Sequence, residues 1–394
     1  MEAHKLLRSL LCCFLLSLLS GQQVVQGSSA HDHRHRHHHH HHHHHQTHLH
    51  LFNFRPTKLF VFGDSYADTG NRQSEAKSWK YPYGITFPGK PAGRFSDGRV
   101  LTDYVANALA FSRDMKLSSH YFSGFLILTP DLTKFVGLKS PIPYKWRKLG
   151  VKYLKNGMNF AYGGTGVFDT VVPGPNMTTQ IGFFQHLIKD NVFTATDVDS
   201  SLALVSLAGN DYSAYSARNG SSQGLQSFIY SVVNQLTVNL KGIHGLGMKK
   251  VAVTGLQPLG CLPQSTATSS FRQCNGSENS FVNFHNLLLK QVVAKLNNET
   301  KDSAFVVLDL YASFMSVFDN KGDHPASAKF VNPLKPCCMG VSSEYFCGSE
   351  DEKGAKKYTV CEDPESAFFW DTVHPTQEGW RAVYSALQPT LEQL

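Results

Sequence analysis

Four short apolar runs punctuate the chain: Leu59-Phe-Val-Phe62, Leu202-Ala-Leu-Val-Ser-Leu207, Val251-Ala-Val-Thr254 and Ala304-Phe-Val-Val-Leu308. Runs this short, with little polar alternation, predict strands buried on both faces. The first two break off at Gly63-Asp64-Ser65 and Gly209-Asn210-Asp211. Between the runs the period changes. Phe281, Phe284, Leu288 and Val292 recur at spacings of three and four, which predicts a helix with one apolar face. Residues 226–246 and 378–392 also read as helices. Strands separated by helices imply βαβ units and a mainly parallel sheet covered on both sides. In such sheets the reactive groups gather beyond the carboxyl ends of the strands, where the two polar loops fall.

The N-terminus breaks this pattern. Lys5 and Arg8 precede an apolar stretch from Leu10 to Leu19, and small residues follow. That order predicts a secretory signal peptide over residues 1–27, too short to span a bilayer. Residues 28–54 form a His-rich linker: of 21 His in the chain, fourteen lie between His31 and His50, nine of them consecutive from His37 to His45. Residues 55–394 are then the folding domain, and no later stretch is apolar for long enough to cross a membrane.

Composition refines the class. The chain has 394 residues, with 37 Lys and Arg against 30 Asp and Glu. Removing residues 1–54 leaves 33 against 28, a balance of +5 that argues against nucleic acid as a partner. Of eight cysteines, Cys12 and Cys13 belong to the leader. The other six, Cys261, Cys274, Cys337, Cys338, Cys347 and Cys361, favour disulfides in an exported chain, and no Cys-x-x-Cys pair suggests zinc. Sequons at Asn176, Asn219, Asn275 and Asn298 agree with export and glycosylation. The expected localisation is extracellular.

Three short blocks carry candidate chemistry. Phe60-Val-Phe-Gly-Asp-Ser65 places a Ser on a tight turn directly after a strand, where it is either a nucleophile with a base nearby or an ordinary turn residue. Asn159-Phe-Ala-Tyr-Gly-Gly-Thr-Gly166, with Leu207-Ala-Gly-Asn-Asp211, offers open backbone N–H groups and a side-chain amide for a developing oxyanion, although each alone is common loop sequence. Asp371-Thr-Val-His374 lets a carboxylate orient an imidazole whose far nitrogen acts as general base.

Together these blocks resemble the plant GDSL esterase/lipase family of the SGNH hydrolases, over residues 58 to 380. Tyr81-Pro-Tyr-Gly84, Gly93-Arg-Phe-Ser-Asp-Gly-Arg99, Leu259-Gly-Cys-Leu-Pro263 and the Cys337-Cys338 pair are similar to the same family. The resemblance implies a three-layer α/β/α flavodoxin-like domain. It implies Ser65 as nucleophile, His374 as base and Asp371 as its orienter. It also implies an oxyanion hole from the Ser65 N–H, a Gly N–H and Asn210, with Gly166 ahead of Gly164 for the glycine. No cofactor and no metal are expected. The chain departs from the family by an insertion of roughly 28 residues at about 107–134, read either as a lid or as a stretch that never folds well.

Competing motifs are weaker. Gly220-Ser-Ser222-Gln-Gly224 spells a nucleophile elbow, but the polar residues before it supply no strand. Gly84 to Lys90 has P-loop spacing, with Pro91 at the required Ser/Thr position. His186, His244, His285 and His324 are isolated and read as packed or surface residues. The sequence therefore predicts a secreted ester hydrolase acting on a small-molecule or polysaccharide ester, and participation in lipid degradation is compatible with it. An acyltransferase using the same triad is the first alternative. A metal-binding or wall-associated protein, contacting metal or an acidic wall polymer through His37 to His45, is the second.

Overall fold

The computed structural model describes residues 54, 56–118, 140–319 and 329–394. The leader, the His tract, residues 119–134 of the insertion, and His324 lie outside the described residues.

Six parallel strands form the central sheet: β1 (Leu59–Gly63), β2 (Ile142–Pro143), β3 (Gly157–Asn159), β4 (Leu202–Ser206), β5 (Lys250–Thr254) and β6 (Phe305–Leu308), in the order β2-β3-β1-β4-β5-β6. β1 pairs with β3 and β4, Leu59 lying opposite both Gly157 and Leu202. The four apolar runs are β1, β4, β5 and β6. β2 and β3 were not anticipated, because two or three residues that include Pro143 and Gly157 carry no strand pattern.

Alternation along β1 splits the core in two. Phe60 and Phe62 face one side, packing with α2 (Met177–Lys189), α5 (Leu225–Gly245) and α7 (Gly276–Thr300). Leu59 and Val61 face the other, packing with α1 (Leu101–Ser118), α8 (Leu310–Asp319) and α9 (Gln377–Glu392). The architecture is thus a three-layer α/β/α sandwich. Two shorter helices, α3 (Ala195–Asp199) and α6 (Pro263–Thr266), complete the connections, and α4 (Asn210–Ala217) follows β4 directly. Helix α1 takes in residues 107–118, so the first part of the expected insertion continues a helix.

The predicted stripe on α7 is displaced. Phe281, Phe284, Leu288 and Val292 flank the core half-buried, while Val282, Leu289, Val293 and Leu296 face it squarely. Polar Asn279, His285 and Asn286 share that inner face. Each is paired: Asn286 Oδ1 accepts the Leu256 N–H at 2.7 Å, Asn279 Oδ1 accepts the Gly260 N–H at 2.9 Å, and His285 Nδ1 lies 2.6 Å from the Tyr212 hydroxyl.

The six cysteines form disulfides 261–274, 337–361 and 338–347. Cys338 starts the two-stranded antiparallel ribbon of β7 (Cys338–Gly340) and β8 (Tyr358–Val360).

Candidate active site

The strand order reverses around β1, so the loops after β1, β3 and β4 open onto a common crevice. Ser65, Tyr162–Gly166 and Ala208–Asn210 occupy those loops. Two glycines permit the turns. Gly63 ends β1 at φ +140°, where a Cβ would collide with the Ser206 carbonyl. Gly209 sits at φ +99°, a left-handed backbone that redirects β4 straight into α4.

Ser65 is 7% exposed, and its Oγ lies 2.8 Å from His374 Nε2. On the other side of the ring, His374 Nδ1 lies 2.9 Å from both carboxylate oxygens of Asp371. An ionised carboxylate only accepts, so Nδ1 carries the proton and Nε2 presents its lone pair to the hydroxyl. Burial opposes the charge on Asp371. Attraction to the imidazolium form of His374, with hydrogen bonds from His374 and Val373, outweighs it and brings the carboxyl down to about 2. Asp371 Oδ1 accepts the backbone N–H groups of Val373 and His374, each at 2.8 Å. The Phe95 ring stacks on the imidazole, centroids 5.1 Å apart. Sequence positions more than 300 apart thus meet in one file of hydrogen bonds.

The surrounding blocks brace this file. Tyr83, in the Tyr81-Pro-Tyr-Gly84 stretch, donates its hydroxyl to Asp371 Oδ2 at 2.7 Å, a role no local signal announces. Asp97 Oδ1 accepts the Gln377 N–H at 2.7 Å, and Ser96 Oγ donates to the Pro375 carbonyl at 3.0 Å. The Gly93–Arg99 stretch therefore grips the loop carrying His374. From behind, Cys337 and Cys338 donate backbone N–H groups to the carbonyls of Phe369 and Trp370 at 2.9 and 2.7 Å. The disulfide-bonded ribbon is thereby tied to the segment ending in Asp371.

The loops after β1, β3 and β4 are held by two buried carboxylates. Asp68 accepts N–H groups from Gly70, Asn71, Arg72 and Gly163, joining the Ser65 loop to the glycine-rich block. Asp64 Oδ2 accepts the Ala208 N–H at 2.6 Å and Asn210 Nδ2 at 2.8 Å. Burial lifts the Asp64 carboxyl to about 7, against the lowering by the backbone N–H groups of Ala208 and Tyr66. Asn210 Nδ2 also donates to the Thr165 carbonyl at 3.1 Å. Among the described residues, the Gly164 and Gly166 N–H groups have no acceptor, whereas Gly163 gives its own to Asp68. Gly166 lies against the Asp211 carboxylate, where a Cβ would not fit. Asp211 in turn accepts the N–H groups of Val167 and Phe168 at 3.0 Å, fixing the end of the block.

The remaining candidates lie elsewhere. Ser222 is exposed in the loop between α4 and α5, and no strand leads into it. Residues 84–90 likewise contain no strand. Asn176 and Asn275 cap α2 and α7 with their side chains, while Asn219 and Asn298 are exposed. No helix among the described residues is long and apolar enough to cross a membrane.

The geometry suits acyl transfer: a hydroxyl against a base, a carboxylate behind the base, and glycine N–H groups, unpaired among the described residues, on the loop after β3. The family model described as GDSL-like lipase/acylhydrolase matches residues 59–387. Two GDSL esterase/lipases of Arabidopsis thaliana are 57% and 52% identical to this chain, each over 86% of it and over 88% and 90% of their own lengths. Acetylajmalan esterase 2 of Rauvolfia serpentina is 26% identical over 84% of this chain and 90% of its own. The chain belongs to the GDSL-like lipase/acylhydrolase family and is a carboxylic ester hydrolase.

Proposed function

We propose that this chain is a secreted serine esterase that works through an acyl-enzyme on Ser65, with His374 as general base and Asp371 as its orienter. The observation that carries this reading is the 2.8 Å approach of Ser65 Oγ to His374 Nε2, with Asp371 on Nδ1. His374 takes the Ser65 proton as Oγ bonds to the ester carbonyl carbon. The carbonyl oxygen becomes an oxyanion, received by the Ser65 N–H, a glycine N–H at Gly166 or Gly164, and Asn210 Nδ2. Collapse of the tetrahedral intermediate breaks the C–O bond, and His374 returns the proton to the departing alcohol. Water then repeats the sequence in reverse: His374 deprotonates it, it attacks the acyl-Ser65 carbonyl, and Ser65 leaves reprotonated.

Asn210 reaches this role with both amide hydrogens already directed, one to Asp64 and one to Thr165. An oxyanion is a stronger acceptor than a carbonyl, so it draws the Thr165-directed hydrogen while Asp64 keeps the amide in place.

Export is supported by the predicted leader and by three disulfides, which persist in oxidising compartments. Glycosylation at Asn176, Asn219, Asn275 and Asn298 follows from the same reading. The His37 to His45 tract is assigned a separate part in metal or acidic-wall contact, tested by deleting residues 31–50.

A panel of acetyl, long-chain acyl and hydroxycinnamoyl esters, with and without a hydroxyl acceptor, tests the activity. The expected result is acid release in water by the wild type and none by Ser65→Ala. Turnover that requires the hydroxyl acceptor identifies an acyltransferase with the same triad, and turnover retained by Ser65→Ala removes Ser65 from the chemistry.

A further inference from the structure

The crossover between β2 and β3 has an unusual surface. Its thirteen residues, 144–156, read Tyr-Lys-Trp-Arg-Lys-Leu-Gly-Val-Lys-Tyr-Leu-Lys-Asn, with five cations and no acidic residue. Two short 3-10 turns, Tyr144–Leu149 and Val151–Asn156, hold it against the sheet's edge strand. It is anchored inward by Leu154, buried in the core, and by Tyr144, stacked on Phe183 with centroids 4.5 Å apart.

Most side chains between those anchors point the other way, Lys145 and Arg147 being half-buried. Trp146, Leu149, Val151 and Tyr153 are 43%, 56%, 83% and 40% exposed. Lys148, Lys152 and Lys155 are exposed beside them. The cations are arrayed on the aromatic rings: Lys145 Nζ is 4.1 Å from the Trp79 ring centroid, the Arg147 guanidinium is 4.2 Å from that of Tyr144, and Lys152 Nζ is 5.0 Å from that of Tyr153. Such pairing lets a charge and an apolar group enter the same interface together.

The surface also begins where the candidate site is. β2 ends at the carboxyl edge of the sheet, and Lys145 donates its backbone N–H to Asn71 Oδ1 at 3.1 Å and its Nζ to the Arg72 carbonyl at 3.1 Å. Asn71 and Arg72 close the loop that starts at Ser65.

We propose that residues 144–156 form a docking surface for an anionic lipid bilayer. Three exposed lysines, Lys148, Lys152 and Lys155, complement a negative headgroup layer, and Trp146, Leu149 and Val151 suit the apolar boundary beneath it. An acidic polysaccharide is the poorer occupant: it would use the cations but has no place for Leu149 and Val151, whose side chains offer no ring to stack on a sugar. Docking goes beyond the ester chemistry and does not depend on it, since binding is read without turnover.

The test is co-sedimentation of the full chain with vesicles of phosphatidylcholine alone and of phosphatidylcholine with phosphatidylserine, at pH 8 so that the His tract stays uncharged. Binding should favour the anionic vesicles and weaken with salt. The triple variant Lys148→Gln/Lys152→Gln/Lys155→Gln should bind them about 100-fold less, at roughly fivefold per cation. Leu149→Ser/Val151→Ser, with every charge kept, should also weaken binding. Both variants should hydrolyse a soluble acetyl ester at the wild-type rate, which establishes folding and separates this result from failure of the Ser65 reading. Equal binding to both vesicle types, wild-type binding by either variant, or binding to polygalacturonate but not to vesicles would overturn the proposal.

Discussion

Replacing Tyr83 by Phe removes one oxygen atom from behind the proposed catalytic file. Tyr83 is 1% exposed, and its hydroxyl donates at 2.7 Å to Asp371 Oδ2, an oxygen otherwise served, among the described residues, only by His374 Nδ1. A hydrogen bond to a charged group contributes about 1.5–3 kcal/mol. If about half of it is lost from the transition state along with the orientation of Asp371, kcat/KM falls by roughly three- to tenfold, since 1.4 kcal/mol is a factor of ten. KM should change little, because the phenol lies behind Asp371. Steady-state hydrolysis of a soluble ester, with melting temperature measured in parallel, reads both constants. A variant that melts lower but keeps the wild-type kcat/KM would show that Tyr83 merely packs against Trp370, and the reasoning would fail.

Two further outcomes follow from the oxyanion side. Asn210→Ala should lose roughly 10²–10³ in kcat with little change in KM, the cost of one oxyanion donor; near-normal turnover excludes Asn210 from the mechanism. Asp64 has a folded pKa raised from 3.8 to about 7, so the protonated form is favoured in the fold. Its stabilising contribution is then full below pH 4 and is lost as pH rises through 7, about 4 kcal/mol in all. Melting temperature against pH should therefore fall less between pH 4 and pH 7 in Asp64→Asn than in the wild type, and parallel curves would contradict this.

The legible parts of the molecule are those whose causes are local. β1, β4, β5 and β6 are apolar runs in the sequence, and α5 and α9 begin and end within a residue of their periodic patterns. β2 and β3 are strands only because neighbours pair with them, Ile142 with Met158 and Gly157 with Leu59. The inner face of α7 was misplaced because Asn279, His285 and Asn286 look like surface residues until their partners appear. Ser65, Asp371 and His374 stood out through the blocks around them. Tyr83 and Asp64 did not, since their meaning lies in partners 288 and 144 residues away. The disulfide pairing was likewise invisible, as six cysteines allow fifteen connectivities.

Covalent capture at Ser65 tests the central claim most directly. A slowly hydrolysed ester, or an organophosphorus ester analogue, is added to the wild type, Ser65→Ala and His374→Ala, and the adduct is located by intact mass and peptide mapping. The account predicts one acyl or phosphoryl group per chain, on Ser65, absent from Ser65→Ala and formed far more slowly in His374→Ala. An adduct on another serine, Ser222 included, or ester hydrolysis that survives in Ser65→Ala, would contradict it.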